Sequence, residues 1–490
     1  MCLCVCVLYT ERLGYGHFQE RILVPVGLCF ASSSMEMLLS FRLAVVLQNE
    51  WHLTQEQTDA LSGAVFAGAL LGNLVLGPLG DKLGRKPIFV WTACILSVAG
   101  LATAVSSNYH WLVLCRLAVG FGVGGMAVPF DALAEFVPRK RRGTHLLLVE
   151  YFWTVGTMLV PLIAYLCFSE SMNHQSDSTA TSSGGWRLFC AWCAVPSVLT
   201  TLVGLYLIPE SPRWLLLQGR DDQALEILRT AAMYNDKNPV KLFPHDMQLA
   251  HDHGAVESSN ICDLFSVKHW KTTLLLWGVW ACQYFVYFGA IMAITLVFMN
   301  NNGEQRGDQG TSDFGAIFIS ALAEFVGTTV IIYLIDRIGR IPSQAISYLT
   351  GGVAIFVLCQ LASHTQTSLT TTTPTTWMIM VVAAFVARLS LMSGTCATWV
   401  STAEIVPTEI RTTSHSTANA IGSLSGFFSP YVVSNETSFP TIGRVILLLS
   451  AMTSFLVLLL PETNGKSMGL TSPSSKKANR NESFCERETV

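Results

Sequence analysis

Long apolar stretches separated by short polar ones run the length of this chain. Twelve of them approach the roughly 20 residues that cross a hydrocarbon core of about 30 Å: 21–44, 58–79, 88–107, 111–133, 145–168, 188–208, 271–297, 313–335, 342–363, 375–398, 413–433 and 441–461. Each is predicted to be a helix, because a backbone in lipid must bond within its own segment and runs of this length exceed barrel strands. The expected fold class is all-α and integral to a membrane, with twelve transmembrane helices.

The polar breaks repeat. Gly80-Asp81-Lys82-Leu83-Gly84-Arg85-Lys86-Pro87 returns as Ile335-Asp336-Arg337-Ile338-Gly339-Arg340-Ile341-Pro342. Glu135-Phe136-Val137-Pro138, followed by Arg142-Gly143-Thr144, returns as Glu404-Ile405-Val406-Pro407, followed by Arg411-Thr412-Thr413. The copies lie at nearly equal offsets, so the chain reads as two pseudo-symmetric six-helix bundles. The expected organisation is a segment 1–20, a bundle 21–208, a central loop 209–270, a second bundle 271–462 and a tail 463–490. Within the charged central loop, the run from Asp221 to Arg229 predicts a short surface helix with acidic residues in its first turn.

Composition agrees with this reading. With 51% hydrophobic residues and a mean hydropathy of +0.45, only 13% of positions are charged, too few to coat a water-soluble globule of this length. The Lys and Arg residues fall almost entirely on one side of the spans; the exceptions are Arg42, Arg187, Arg306 and Arg444 at the far side and Arg116 and Arg388 within spans. Positive charge is retained in the cytoplasm during insertion, so both termini are expected there. A net charge of −3 sorted by leaflet excludes a nucleic-acid-binding face. The cysteines lie mostly in apolar runs, where a thiol acts as a small hydrophobe, although Cys2, Cys4 and Cys6 offer acylation positions. Asn435-Glu436-Thr437 is an acceptor sequon on the far side.

The segment from Gly77 through Asp81, Gly84, Arg85 and Lys86, echoed by Asp336, Gly339 and Arg340, resembles the loop signature of the major facilitator superfamily. Arg116-Leu-Ala-Val-Gly120-Phe-Gly122-Val-Gly124 resembles that superfamily's arginine and glycine motif. Pro209-Glu210-Ser211-Pro212-Arg213 and Pro461-Glu462-Thr463-Asn464-Gly465-Lys466 narrow the resemblance to the branch of sugar porters and organic-ion transporters. Gly14-Tyr-Gly-His-Phe-Gln19, Ser34-Met-Glu36-Met, Trp51-His-Leu-Thr and Asp263-Leu-Phe-Ser-Val-Lys-His-Trp are similar to the synaptic vesicle 2-related proteins. The chain departs from that family at Ser33, where an aspartate is usual.

The resemblance implies an inner gate built from Gly77, Asp81, Gly84, Arg85, Lys86, Glu135 and Arg142 in one half and Asp336, Gly339, Arg340, Glu404 and Arg411 in the other. Such a network would stabilise the outward-open state. Glu135 is expected to pair with Arg85 or Arg142, and Glu404 with Arg340 or Arg411. Within the spans, charge is costly in lipid and is usually kept for function. Glu36, Asp131, Glu150 and Glu324 are the acids there, and Arg116 and Arg388 the bases. Glu36 is the leading coupling candidate, balanced against a purely structural pairing with Arg116. Trp153, Trp280, Tyr284 and Trp399 could face an organic cation, and Gln283 is the expected hydrogen-bonding residue of a pocket.

These features point to a secondary active transporter that moves a small charged organic solute by alternating access, with protons or cations as candidate coupling ions. The alternative is a receptor that keeps the fold without transporting. Neither an enzymatic constellation nor a nucleotide-binding Gly-x-x-x-x-Gly-Lys-Ser/Thr loop occurs, so no cofactor, metal or ATP is expected. The expected partners are the solute and the bilayer, the expected state is a monomer, and the expected site is the plasma membrane or an intracellular vesicle.

Overall fold

The computed structural model describes residues 11–138, 142–173, 185–244, 264–267, 269–303, 314–367, 374–406, 410–434 and 436–464. Cys2, Cys4 and Cys6, Arg306, Asn435, and Gly465 and Lys466 lie outside them. The long helices are α1 (His17–Glu50), α2 (Gln55–Leu83), α3 (Arg85–Ala104), α4 (Tyr109–Val123), α5 (Ala127–Phe136), α6 (Arg142–Asn173) and α7 (Gly185–Leu207). Three more lie between the two halves of the chain, α8 (Pro212–Leu217), α9 (Asp221–Tyr234) and α10 (Pro239–Leu242). The second half comprises α11 (Trp270–Gly303), α12 (Phe314–Ile338), α13 (Arg340–Thr367), α14 (Pro374–Ile405), α15 (Arg411–Val432) and α16 (Phe439–Leu458).

Each expected span is helical, and eleven helices among the described residues are long and apolar enough to cross a membrane, counting α4 and α5 as one. Two expectations change in detail. The span at 111–133 is not one regular helix: it breaks at Gly124 and Gly125, where a Cβ on Gly124 would meet the backbone of Ala69 and Asn73 on α2 and one on Gly125 would meet Thr92 on α3. Close approach to α2 and α3 decides the break. The span at 413–433 is the helix α15, yet its first two turns, from Arg411 to Asn419, are buried polar residues apart from Ala418. That stretch is enclosed by protein, so it can be helical without being apolar.

The packing repeats as the sequence does. In the first half α1 packs on α6 and α7, α2 on α4, and α3 on α7; in the second α11 packs on α15 and α16, α12 on α14, and α13 on α16. The halves meet through α2 against α15 and through α6 against α12, and these two contacts are each other's symmetry equivalents. The outer surface is apolar, with Val98, Leu114, Leu166, Leu202, Leu448 and Phe455 exposed, as a lipid-facing exterior requires.

The central helix α9 is not a free surface element. Its Ala224, Leu225, Leu228, Ala231 and Ala232 are buried. Asn235 at its end accepts a hydrogen bond from Phe18 N (2.9 Å) and donates to Gln19 Oε1 (3.0 Å). Gln19 in turn donates to the carbonyl of Phe136 (3.2 Å). The loop thereby braces the ends of α1 and α5, beside the first charged segment.

Candidate functional site: two charged clusters and the cavity behind them

Gly84 and Gly339 each sit between two helices at φ +106° and +104°, a region that disfavours any side chain. A Cβ on Gly84 would meet a carboxylate oxygen of Glu210 at 2.4 Å, and one on Gly339 would meet Glu462 at 2.7 Å. The tight turn therefore lets a carboxylate reach the next helix. Glu210 accepts from Arg85 N (2.8 Å) and Lys86 N (3.3 Å). Glu462 accepts from Arg340 N and Ile341 N, both at 3.0 Å. A carboxylate on the free N–H groups at a helix start contributes on the order of 0.5–2 kcal/mol. Burial pushes the Glu210 carboxyl above its ordinary value despite these bonds. At Glu462 burial acts in the same direction, but N–H donors from Arg340, Asn464, Ile341 and Thr463 outweigh it and hold the carboxyl below the ordinary value.

Each turn also places an arginine in a nest of acceptors. Arg85 pairs with Asp81 (3.0 Å) and Glu135 (3.6 Å) and donates to the Gly80 carbonyl (3.0 Å). Arg340 pairs with Asp336 (2.9 Å) and with both oxygens of Glu404 (3.0 and 3.2 Å). Arg85 and Arg340, each one of the two partners open to its glutamate in sequence, thus lie within reach of Glu135 and Glu404. Ser211 donates to Glu135 and Thr463 to Glu404 (2.7 Å). Arg142 and Arg411 are buried nearby. Lys86 is only partly buried, its backbone N–H rather than its charge being the group in use.

The clusters join across the halves through threonines. Thr413 donates its N–H (3.1 Å) and its hydroxyl (2.8 Å) to Asp81, and Thr144 donates its hydroxyl to Asp336 (2.7 Å). These threonines occupy the same place in the two copies of the Arg-x-Thr motif. Gly77 completes the closure: a Cβ there would overlap Ser416 of α15 at 2.3 Å. Sequence reading found the carboxylates and arginines of these clusters. The crossing threonines and the two capping glutamates lay within quoted motifs, but nothing in the motifs told which half each one serves.

Deeper in, Arg116 and Glu36 are fully buried and pair at 2.7 Å, and Arg116 also donates to the Glu36 carbonyl and to Ser40 (2.8 and 3.2 Å). Arg388 pairs with Glu324 at 2.6 Å. Glu324 also accepts from Tyr287 (3.1 Å) and, across the halves, from Thr157 (2.8 Å), while Trp153 donates to the Tyr287 hydroxyl (3.0 Å). Gln283 accepts from Thr395 and Tyr348 (3.1 and 3.3 Å), and Tyr284 donates to Asn419. Trp280 and Trp399 stand with their rings 5.1 Å apart, beside Phe130 and Phe30. Asp131 pairs with His415 at 3.0 Å. His415 escaped the sequence reading because a histidine amid Ser and Thr on a weakly apolar span carried no motif.

Between the halves, on the side away from the charged clusters, is a cavity of ≈ 150 Å³. Arg42, Asp59, Thr157, Ile291, Arg388 and Pro430 are among its walls. Of the residues nominated from sequence, Arg388 lines it. Trp153, Glu324 and Tyr287 sit behind Arg388 in the bonding network, whereas Trp280, Tyr284, Trp399 and Gln283 belong to the packed layer between cavity and clusters.

Residues 29–472 match the model of the sugar (and other) transporter family. This chain belongs to that family. It is 30% identical to organic cation/carnitine transporter 7 of Arabidopsis thaliana, across 95% of this chain and 96% of that protein. It is 28% identical to the synaptic vesicle 2-related protein of Rattus norvegicus, across 86% and 74%. Among solved structures, the major facilitator proton:xylose symporter XylE with a bound bromo-deoxyglucose superposes with a TM-score of 0.70 at 21% identity, across 92% of this chain and 98% of that one. The fold is that of the major facilitator superfamily, and the chain is a multi-pass membrane transport protein, not an enzyme.

Proposed function

We propose that this protein is a secondary active transporter for a small charged organic solute, working by alternating access. One observation carries the reading: a cavity shared by the halves lies behind a closure whose bonds cross from one half to the other and could part without breaking either bundle. On this reading Asp81, Arg85, Glu135, Thr413 and their counterparts Asp336, Arg340, Glu404, Thr144 are the inner gate, closed here, and the cavity is the outward-facing vestibule. The paired termini then lie in the cytoplasm, in keeping with the sorting of Lys and Arg. A charged solute is supported by Arg42, Asp59 and Arg388 on the cavity wall and by the name of the plant relative. Arg116 bonds Glu36 Oε2 and Ser40, which supports a structural role for that pair.

The test is counterflow exchange in liposomes with labelled organic cations, anions and zwitterions. Exchange by the wild type, slowed by Asp81→Asn in protein that remains monodisperse, is the expected result. Absence of exchange across that set by folded protein would leave a receptor as the better description.

A further inference from the structure

The closure leaves one buried pair unexplained. Asp131 of α5 and His415 of α15 are both fully buried, face each other across the two halves with Nδ1 to Oδ1 at 3.0 Å, and leave Oδ2 and Nε2 without hydrogen-bond partners among the described residues. Leaving buried polar atoms unpaired costs on the order of 1–3 kcal/mol each. Packing does not demand this cost. At the equivalent places in the repeat, set by the Glu135/Glu404 and Thr144/Thr413 correspondence, stand Val400 for Asp131 and Leu146 for His415, and both are fully buried. The same scaffold is thus filled by an apolar pair in one copy and by an ionisable pair in the other.

The surroundings narrow what the pair can bind. The imidazole is enclosed by the rings of Trp399, Trp280 and Phe130, at centroid distances of 4.7, 5.4 and 5.9 Å. No organic molecule fits between, but a proton does. With a neutral imidazole the pair carries one negative charge in an apolar layer. With one proton added it becomes an imidazolium and a carboxylate of zero net charge. The ionisable groups on the elements packed about the pair include Glu36 on α1, Asp81 on α2, Arg85 on α3, Glu135 on α5, Arg142 and Glu150 on α6, Tyr284 on α11, Glu404 on α14 and Arg411 on α15. Arg85 pairs with both Asp81 and Glu135, and Arg340 with Glu404.

Position ties this site to the closure. His415 lies two residues beyond Thr413, which holds Asp81, and Asp131 lies one helical turn before Glu135, which holds Arg85. We propose that Asp131 and His415 together bind one proton, and that it is retained while the motif-bearing end is closed and lost as the halves part, so that closure is linked to protonation. This rests on the alternating-access reading. When the halves separate, the imidazolium loses its carboxylate and the Phe130 ring of the first half, keeps Trp280 and Trp399 of its own half, meets water, and gives its proton to that side. The closed state therefore holds one more proton than the open state, and lowering pH favours closure by up to about tenfold per pH unit.

The experiment uses the full-length protein in lipid nanodiscs, without solute, carrying nitroxide labels at Leu83→Cys and Ile338→Cys, which are exposed on opposite halves at that end. Between about pH 5.5 and 8.5 the short-distance population should fall as pH rises, across the range in which histidine changes charge. His415→Gln and Asp131→Asn should each flatten this profile. The double variant Asp131→Val/His415→Leu copies the apolar pair of the other half, so it is expected to fold and to show no pH dependence. A double variant that keeps the wild-type profile overturns the proton site while leaving alternating access intact. A wild type with a single distance at every pH overturns both.

Discussion

Replacing Thr413 with valine should open the closed end of this protein measurably. The change keeps the side-chain shape and the backbone N–H bond to Asp81 (3.1 Å), and deletes only the hydroxyl bond to the same carboxylate oxygen (2.8 Å). The acceptor side chain is 6% exposed, so water replaces the lost donor poorly. A hydrogen bond to a charged group in such a place contributes about 1.5–3 kcal/mol. Because the bond exists only when the halves are together, the loss falls on the closed state and raises the open fraction about 10- to 150-fold. Thr412→Cys supplies the reporter: Thr412 is fully buried beside Gly80, and the rate at which its thiol reacts with a membrane-impermeant maleimide tracks the open fraction. The expected result is a rate increase of at least about tenfold in Thr413→Val over the same reporter alone. Thr144→Val should give a smaller increase, since Asp336 is 32% exposed and water substitutes there. An unchanged rate in Thr413→Val, with unchanged reactivity in denaturant, would refute the claim that this bond holds the halves together.

Gly339→Ala should lower the thermal midpoint sharply, because the residue sits at φ +104° with a carboxylate where its Cβ would go; Gly84→Ala should behave alike, and Gly219→Ala, with open space around it, should cost only its backbone strain of about 1–2 kcal/mol. Arg116→Met should destabilise by about 3–5 kcal/mol by stranding Glu36, and adding Glu36→Gln should recover part of that, read as thermal midpoints of the purified variants. The two capping glutamates should respond oppositely to pH. Glu462, held below its ordinary value of 4.5, contributes stability that is present above that value and lost as pH falls through its lower folded value. Glu210, raised above 4.5, contributes a pH-dependent part that is present below that value and lost as pH rises through its folded value. Melting curves of Glu462→Gln and Glu210→Gln against pH should therefore diverge from the wild type in opposite directions, and parallel curves would contradict the assignment.

Much of the architecture was legible because membrane insertion is governed by local quantities. Span length, the cost of charge in lipid and the sorting of Lys and Arg are summed along the chain, so the spans and the duplication could be read directly. The break at Gly124 and Gly125 could not be read in this way, since it depends on how near the backbone of α2 comes. Nor could the first turns of α15 be judged by hydropathy, because a stretch enclosed by protein is released from the requirement to be apolar. At the site, Arg85 with Asp81 and Arg340 with Asp336 were legible as close neighbours in sequence on either side of a glycine turn. The capping role of Glu210 was not, since it joins residues 125 positions apart.

By itself, the sequence determined that this chain is helical, membrane-embedded, built twice, and charged at corresponding points of each copy. Only the tertiary structure decided that Thr413 serves the first half's Asp81, that Thr144 serves the second half's Asp336, and that His415 meets Asp131 across 284 positions. The physical reason is that a duplicated sequence specifies each bundle's internal contacts twice over, whereas the faces through which the bundles meet depend on both together. The same pairing sets the two copies apart, with an ionisable pair in one place and Leu146 and Val400 in the other.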